Sequence, residues 1–296
     1  MATSMTPATP GVDGARRAPV GTPGRHPTDP TGRRWLSRVL VVVLLSLLLL
    51  PLVPLALSSI GQGYFYPQVI PEVVGDRAWR IVLAADGATW PALWDSALLA
   101  GAVTLLAVVI GLPAGRALGQ YRFRGRGLVE FVLLAPVLVP PIAVAIGLHG
   151  ALLRLGLTGS MTGVVLVHLV PVLPYVVLIL AGTFANLDPA YEAQARSLGA
   201  GPVAVFRTVT LPAIAPGLAT ATFFGFLVSW GQYALTLVIG GGQVVTLPIL
   251  LFASAAGGDT AVTSALALFT AAPALLLLAI NAWAVTGRAV PIGGVR

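Results

Sequence analysis

The sequence contains no cysteine and no lysine, and only 9% of its 296 residues are charged. Without cysteine, the chain has no disulfide, no thiolate nucleophile and no cysteine-based metal site. Without lysine, it cannot form the Gly-Lys-Ser/Thr loop that holds nucleotide phosphates in P-loop ATPases. Soluble domains carry about 25% charged residues, so this composition excludes an ordinary water-soluble protein.

Apolar residues are abundant instead: 57% of the chain is hydrophobic and the mean hydropathy is +0.92. Uninterrupted apolar runs of roughly 18 residues or more cross a bilayer as helices. The sequence therefore predicts an all-α membrane protein with six transmembrane helices. They cover residues 36–58, 93–114, 128–150, 163–185, 213–238 and 261–286. The first run is too long for a signal peptide and follows a polar tail, so we expect a retained anchor.

The basic residues are distributed asymmetrically between the predicted loops. All 17 are arginines. Three of them, Arg77, Arg80 and Arg154, lie in the loops between spans 1 and 2 and between spans 3 and 4. The other 14 lie in the two tails and in the loops on the opposite side of the membrane. Because positively charged loops stay in the cytoplasm, both termini are predicted to be cytoplasmic. The basic balance indicates contact with anionic lipid and not with nucleic acid.

Three regions follow from these assignments. Residues 1–34 are rich in Pro, Gly, Thr and Arg, which predicts a disordered cytoplasmic tail. Residues 35–290 form the predicted transmembrane domain, and residues 291–296 a second cytoplasmic tail. The aromatic residues of 59–92 suit either interfacial anchoring or contact with an external partner.

Two local features concern the ends and interiors of the spans. Asp95 and Ser96 are predicted to cap the second span. Interior prolines remove a backbone hydrogen bond and kink helices, so kinks are predicted in spans 3 and 4. These prolines are Pro136, Pro140, Pro141, Pro171 and Pro174.

Residues 188–212 are a polar, helix-prone segment between spans 4 and 5. Asp188-Pro189 is a favourable helix start, and Gly199 is expected to end the helix in a left-handed conformation. Glu192 and Arg196 form an i,i+4 pair, and Pro202 can open a second short helix through Phe206. Apolar side chains share one face, namely Tyr191, Ala195 and Leu198. A helix lying flat on lipid is the alternative, but it needs neither the glycine stop nor the second turn. We therefore interpret this segment as a docking element for another protein.

The same residues resemble the cytoplasmic coupling loop of the permease subunits of binding-protein-dependent ABC importers. That loop reads Glu-Ala-Ala, three residues, Gly, nine residues, Ile or Val, any residue, Leu-Pro. The matching residues are Gly199, Ala200, Phe206, Val209, Leu211 and Pro212. The Glu-Ala-Ala positions hold Ala193, Gln194 and Ala195, with the carboxylate one residue earlier, so either Glu192 or Gln194 is a candidate for the polar contact. The resemblance implies contact with an ATPase subunit through Tyr191, Glu192, Gln194, Ala195, Leu198, Gly199, Phe206, Leu211 and Pro212.

Within that family, residues 134–148 and 226–242, followed by Thr246-Leu247-Pro248, are similar to the polyamine, thiamine, ferric-iron and aminophosphonate permeases. The resemblance implies a multi-pass protein of the bacterial plasma (inner) membrane that binds no cofactor itself. ATP and Mg²⁺ are expected on separate nucleotide-binding subunits. A second permease subunit, identical or different, and an extracytoplasmic solute-binding protein complete the expected transporter. Cationic solutes and phosphonate-like solutes are both candidates for the transported cargo.

Polar groups deep in the spans are candidates for the solute path, because such groups are costly to keep there without a use. The candidates are His149, His168, Tyr175, Ser229, Trp230, Gln232, Tyr233 and Asn281. Each of them could instead bond across helices. No metal-like spacing joins the histidines, so no metal site is predicted. Glu130 lies at the cytoplasmic start of span 3, where pairing with a nearby arginine is expected.

A secondary, ion-coupled transporter is the main alternative. It would be expected to carry a membrane-buried ionisable coupling residue, and no carboxylate lies in the middle of a predicted span. An intramembrane enzyme finds no support either, because the chain lacks a cysteine, a buried aspartate pair and a His-Glu-x-x-His motif.

Overall fold

The computed structural model describes residues 30–62, 71 and 73–286, and most of them are helical. The helices are α1 Pro30–Leu49, α2 Leu52–Ile60, α3 Arg77–Val82, α4 Thr89–Gln120, α5 Arg126–Leu138, α6 Pro141–Arg154, α7 Met161–Ala185, α8 Pro189–Ser197, α9 Pro202–Val205, a π-helix Phe206–Thr210, α10 Leu211–Trp230, α11 Ala234–Gly240, α12 Leu247–Ala256 and α13 Thr260–Thr286. Strands β1 Gly61–Gln62 and β2 Val73–Val74 pair antiparallel, with Gly61 opposite Val74.

The chain divides into two compact units, Met1–Leu49 and Leu50–Arg296. In the first unit the structure describes α1, which begins at Pro30 within the tail predicted to be disordered. Residues 1–29 of that tail, and the predicted C-terminal tail 291–296, lie outside the described residues.

Four helical stretches are long and apolar enough to cross a membrane. They are Thr89–Gln120, Met161–Ala185, Pro202–Trp230 and Thr260–Ala282. A fifth crossing results if α5 and α6, which are bent by 104° relative to each other, form one span. The first predicted span, 36–58, is divided between α1 and α2 at Leu50-Pro51, and neither is among the candidate spans in the described part of the chain. The count of six therefore stays a prediction.

Proline has different consequences in the two spans where kinks were predicted. Span 3 is broken where α5 ends at Leu138, because Pro140 adopts an extended conformation (φ −54°, ψ 134°) before Pro141 opens α6. In span 4, by contrast, Pro171 and Pro174 both lie within the single helix α7.

Several predicted boundaries are wrong. Helix α4 begins at Thr89, so Asp95 and Ser96 lie inside it; the Ser96 hydroxyl instead accepts a hydrogen bond from the Leu247 amide at 2.8 Å. Within the predicted span 5, helix α10 ends at Trp230, residues 231–233 are not helical, and α11 begins at Ala234. The short helices α3 and α12 were not predicted, because neither is long enough to produce a membrane-span signal.

The main core lies between α4, α7 and α10. Fully buried side chains from these helices interdigitate there, among them Leu99, Val103, Val176, Leu180 and Ile214. Glycines allow α4 to approach α7 closely: a Cβ atom added at Gly111 would lie 2.7 Å from Val176 Cγ1, and one at Gly115 2.6 Å from Leu180 Cβ. This arrangement places the carboxyl end of α4 beside the end of α7 and the segment that follows it.

Candidate functional site

The segment between α7 and α10 forms two short helices, as its sequence predicts. The Asp188 carboxylate accepts a hydrogen bond from the Ala190 amide at 2.9 Å, and Pro189 occupies the first turn of α8. Gly199 ends this helix with φ +90°, a conformation that favours glycine. Helix α9 starts at Pro202 and continues through the π-helix into α10. The π-helix was not predicted, because a wider turn has no clear sequence signature.

Glu192 faces the interior of the protein and is only 4% exposed. One carboxylate oxygen, Oε2, accepts hydrogen bonds from Arg116 Nη2 at 2.6 Å and from Arg196 Nη2 at 3.1 Å. The other, Oε1, accepts from the Thr210 hydroxyl at 2.6 Å. The predicted pair with Arg196 is therefore present, and it is joined by partners from the end of α4 and from the π-helix.

These partners determine the charge of the Glu192 carboxyl. Burial alone would raise its pKa, but hydrogen bonds from Thr210 and Arg116 and the charges of Arg116 and Arg196 hold the pKa below its usual value. The group is thus a carboxylate at neutral pH, with each oxygen bonded inside the subunit.

Other side chains of the segment face away from the protein. Leu198 is 88% exposed and Tyr191 57%, and Gln194 is also exposed. Ala195 and Leu211 are half-buried, whereas Phe206 and Pro212 are exposed. Tyr191 and Leu198 are thus apolar side chains that the subunit itself leaves uncovered.

His168 is fully buried in α7 and bonded at both ring nitrogens. Nδ1 lies 3.0 Å from the Ser229 hydroxyl in α10, and Nε2 lies 3.0 Å from the Thr236 hydroxyl in α11. The Thr236 hydroxyl donates its own proton to the Gln232 carbonyl at 3.0 Å. It therefore accepts from Nε2–H. Because complete burial favours the uncharged ring, Nδ1 is unprotonated and accepts from the Ser229 hydroxyl. The neutral ring connects three helices across the break at 231–233. Thr236 was missed by sequence reasoning, because a threonine in an apolar run is ordinary.

Three of the remaining path candidates, Trp230, Gln232 and Tyr233, lie next to Ser229 along the chain. The Trp230 indole donates to the Thr270 carbonyl at 3.1 Å, and Tyr233 stacks on Phe252 with ring centroids 4.1 Å apart. Gln232 is half-buried beside Tyr233 in the break. Tyr175, in α7, is 37% exposed.

Two candidates have buried polar atoms without a hydrogen-bond partner among the described residues, namely His149 Nδ1 and Asn281 Oδ1. Asn281 lines a cavity of about 670 Å³ between α4, α10 and α13. No hydrogen bond or ring contact within the described part of the chain joins His149, Tyr175 or Asn281 to the His168 cluster.

The predicted arginine partner of Glu130 is Arg126, whose Nε lies 2.9 Å from the carboxylate. Across the described ranges, no group of three or more His, Cys, Asp or Glu residues is placed to hold a metal ion.

Residues 107–286 match the family described as "Binding-protein-dependent transport system inner membrane component". The chain belongs to this family. It is therefore a multi-pass protein of the inner membrane, and as an ABC transporter permease it is not itself an enzyme.

Curated relatives place the chain among ABC permeases of differing cargo. It is 31% identical to the molybdenum transport system permease protein ModB of Mycobacterium tuberculosis, over 70% of this chain and 83% of that protein. It is 28% identical to the putative 2-aminoethylphosphonate transport system permease protein PhnV of Salmonella typhimurium, over 84% of this chain and 94% of that one. The aminophosphonate relative lies within the group indicated by the sequence motifs, whereas the molybdenum relative does not.

The fold is similar to that of a chain in a bacterial ABC transporter involved in the import of the acidic polysaccharide alginate. The TM-score is 0.65 at 18% identity, covering 91% of this chain and all of the other. A second structure, of the alginate transporter with a pentasaccharide-bound periplasmic protein, gives a TM-score of 0.57 at 15% identity, covering 84% of this chain and 93% of that one.

Proposed function

We propose that this chain is the membrane-spanning permease subunit of an ATP-driven importer for a small oxyanion, and that residues 188–212 receive the movement of a separate ATPase subunit. The observation that carries this proposal is the outward-facing surface of Tyr191, Gln194 and Leu198 on a helix whose opposite face is bonded to α4 and the π-helix. A rigid helix seated in a groove of a partner can transmit a rigid-body displacement.

The oxyanion assignment is supported by two relatives. Molybdenum dissolves in neutral water as an oxyanion, and 2-aminoethylphosphonate carries a phosphonate group, so the cargo of ModB and PhnV shares that chemistry. Cationic cargo (a polyamine, thiamine or ferric iron) is the other possibility within the same transporter class.

Three partners complete the proposed assembly. Nucleotide-binding subunits hold ATP and Mg²⁺ and bind the α8 surface at the cytoplasmic side. A second permease subunit, the same chain or another, forms the other wall of the path, and an extracytoplasmic binding protein delivers the solute.

The solute path is proposed to pass the break between α10 and α11. Gln232 and Tyr233 lie there at half-buried positions, and a helix break at membrane depth is tolerated where it faces protein or a water-filled cavity. His168, Ser229 and Trp230 support the break through bonds within the subunit. His149, Tyr175 and Asn281 stay predicted path residues.

The test is reconstitution of the chain with its ATPase and permease partners in liposomes, with the binding protein outside. We expect uptake of molybdate or 2-aminoethylphosphonate that requires both ATP and the binding protein. Uptake of spermidine, thiamine or ferric iron alone would overturn the oxyanion assignment. Transport by the purified chain alone, driven by an ion gradient, would replace the importer with a secondary transporter.

A further inference from the structure

The side chains of α8, together with Leu198 that caps it, divide into an exposed set and a buried carboxylate. Tyr191, Gln194 and Leu198 are exposed, whereas the Glu192 carboxylate lies inside with both oxygens bonded. A carboxylate that already accepts three hydrogen bonds from its own subunit has little capacity left for a partner protein.

The partners of Glu192 belong to the elements that lead into the membrane. Arg116 lies in the last two turns of α4, and Thr210 ends the π-helix directly before α10. Arg116 is itself fixed, because its Nε donates to Gln120 Oε1 at 3.1 Å and its guanidinium carbon lies 5.9 Å from the centre of the Phe184 ring in α7. Glu192 therefore connects α8 through short bonds to α4 and to Thr210, the residue that directly precedes α10, and to α7 through Arg116.

From this geometry we infer that Glu192 is a positioning residue: it locks α8 to the cytoplasmic ends of α4 and α10, so that a displacement of α8 moves both helices together. Contact with the ATPase subunit then falls to Tyr191, Gln194 and Leu198. The inference rests on the proposed function and assigns different tasks to the two faces of one helix.

Because the π-helix separates α9 from α10, a movement of α8 reaches α10 only through a further rigid connection. A single wide turn interrupts the regular bonding between α9 and α10, and such turns are points where a helix can bend. The bond from the Thr210 hydroxyl to Glu192 crosses this point and holds α10 to α8. Without it, movement of α8 would be absorbed at Phe206–Thr210 before it reached α10.

The experiment compares variants of the full reconstituted transporter by two readouts, the retention of ATPase subunits during purification and the solute imported per ATP hydrolysed. For Glu192→Gln we expect normal retention and a solute-to-ATP ratio lowered about fivefold or more, the lower end of common inter-site coupling. For Leu198→Ala we expect the reverse, namely reduced retention and an unchanged ratio in the complexes that still form.

A matched pair at Thr210 tests the bond to α10 without removing a charge. Thr210→Val keeps the shape but loses the hydroxyl, so it should lower the solute-to-ATP ratio, whereas Thr210→Ser keeps the hydroxyl and should restore the ratio.

Glu130→Gln is the control carboxylate, because Glu130 pairs locally with Arg126 and lies outside this network. If Arg116 and Glu192 act through each other, adding Arg116→Gln to Glu192→Gln should lower the ratio no further.

Loss of ATPase subunits from Glu192→Gln, as from Leu198→Ala, would make Glu192 a docking residue and overturn the inference. A normal ratio for both Glu192→Gln and Thr210→Val would also overturn it. If Glu192→Gln does not reach the membrane, the comparison of Thr210→Val with Thr210→Ser is by itself the test of the inference. Absence of ATP-driven uptake by the unmodified transporter would instead contradict the proposed function.

Discussion

At the scale of single residues, His168 offers the sharpest prediction about stability. Replacing it with leucine leaves the buried Ser229 hydroxyl without its acceptor and removes the donor to Thr236. We expect His168→Leu to lower the free energy of unfolding by about 1–3 kcal/mol, measured by thermal unfolding of the purified protein in detergent.

His149 provides a matched control for that measurement. Its Nδ1 is buried without a partner among the described residues, so leucine removes an unsatisfied polar group at this position. His149→Leu should leave the unfolding temperature unchanged or raise it. Equal losses for both histidine variants would contradict the bonding assigned to His168.

Glu192 should make stability depend on pH only in the acid range. Its pKa in the folded state is held below the usual value, so its contribution to stability is fully present above the ordinary glutamate pKa of about 4.3 and is lost as pH falls through the folded pKa. We expect the unfolding temperature of the unmodified protein to fall below that pH. Glu192→Gln should flatten this part of the profile. A drop that persists unchanged in the variant would assign the acid sensitivity to other carboxylates.

Residue-scale prediction from sequence worked where the partners are close along the chain. The Asp188 cap, the Glu192–Arg196 pair and the left-handed Gly199 all follow from spacing within a few residues. The bond between Glu192 and Arg116 spans 76 positions. It depends on how α4 packs on α7, which no local pattern encodes, so the inward direction of the carboxylate could not be predicted.

At the scale of elements, the contact between α4 and α7 depends on glycines that the sequence reading did not single out. A Cβ at Gly115 would lie 2.6 Å from Leu180 Cβ, too close for either helix to accept without movement. We expect Gly115→Ala to destabilise the protein by about 1–3 kcal/mol, by thermal unfolding and by the yield of monodisperse protein.

Gly101, on the same helix, is the control for backbone effects. A Cβ there meets nothing within 4 Å, so alanine should be neutral or stabilising by up to about 1 kcal/mol. If Gly101→Ala and Gly115→Ala destabilise equally, close packing against α7 is not the cause.

The ends of helices could be predicted from the sequence only where the length of an apolar run, or a proline, sets them. The predicted start of span 6 lies within one residue of Thr260, where α13 begins. Helices α3 and α12 are short segments packed against α13, and their stability comes from tertiary contacts that hydropathy does not detect.

At the scale of the whole molecule, the number of crossings decides whether residues 188–212 can reach a cytoplasmic partner at all. If α4, the α5–α6 pair, α7, α10 and α13 each cross the bilayer, the start of α4 and the end of α13 lie on opposite sides. Both termini are then cytoplasmic only if the segment before α4 crosses once more. The α5–α6 pair counts as a crossing despite its 104° bend, because α4 and α7 run parallel, with Gly111 beside Val176 and Gly115 beside Leu180. The 121–125 loop and the 188–212 segment therefore lie at the same end of the helices, where Arg116 of α4 bonds Glu192 of α8.

The absence of cysteine makes the compartment that residues 188–212 face directly testable, because a single introduced thiol is the only one in the chain. Leu155, at the turn after α6, is 70% exposed, and Ser197, at the end of α8, is exposed. With an impermeant maleimide applied to intact cells, we expect Leu155→Cys to be labelled and Ser197→Cys to react only after the membrane is opened. The arginine asymmetry favours this result, since Arg122, Arg124 and Arg196 then share the cytoplasmic side. Labelling of Ser197→Cys in intact cells would place α8 outside, beyond the reach of any ATP-driven partner.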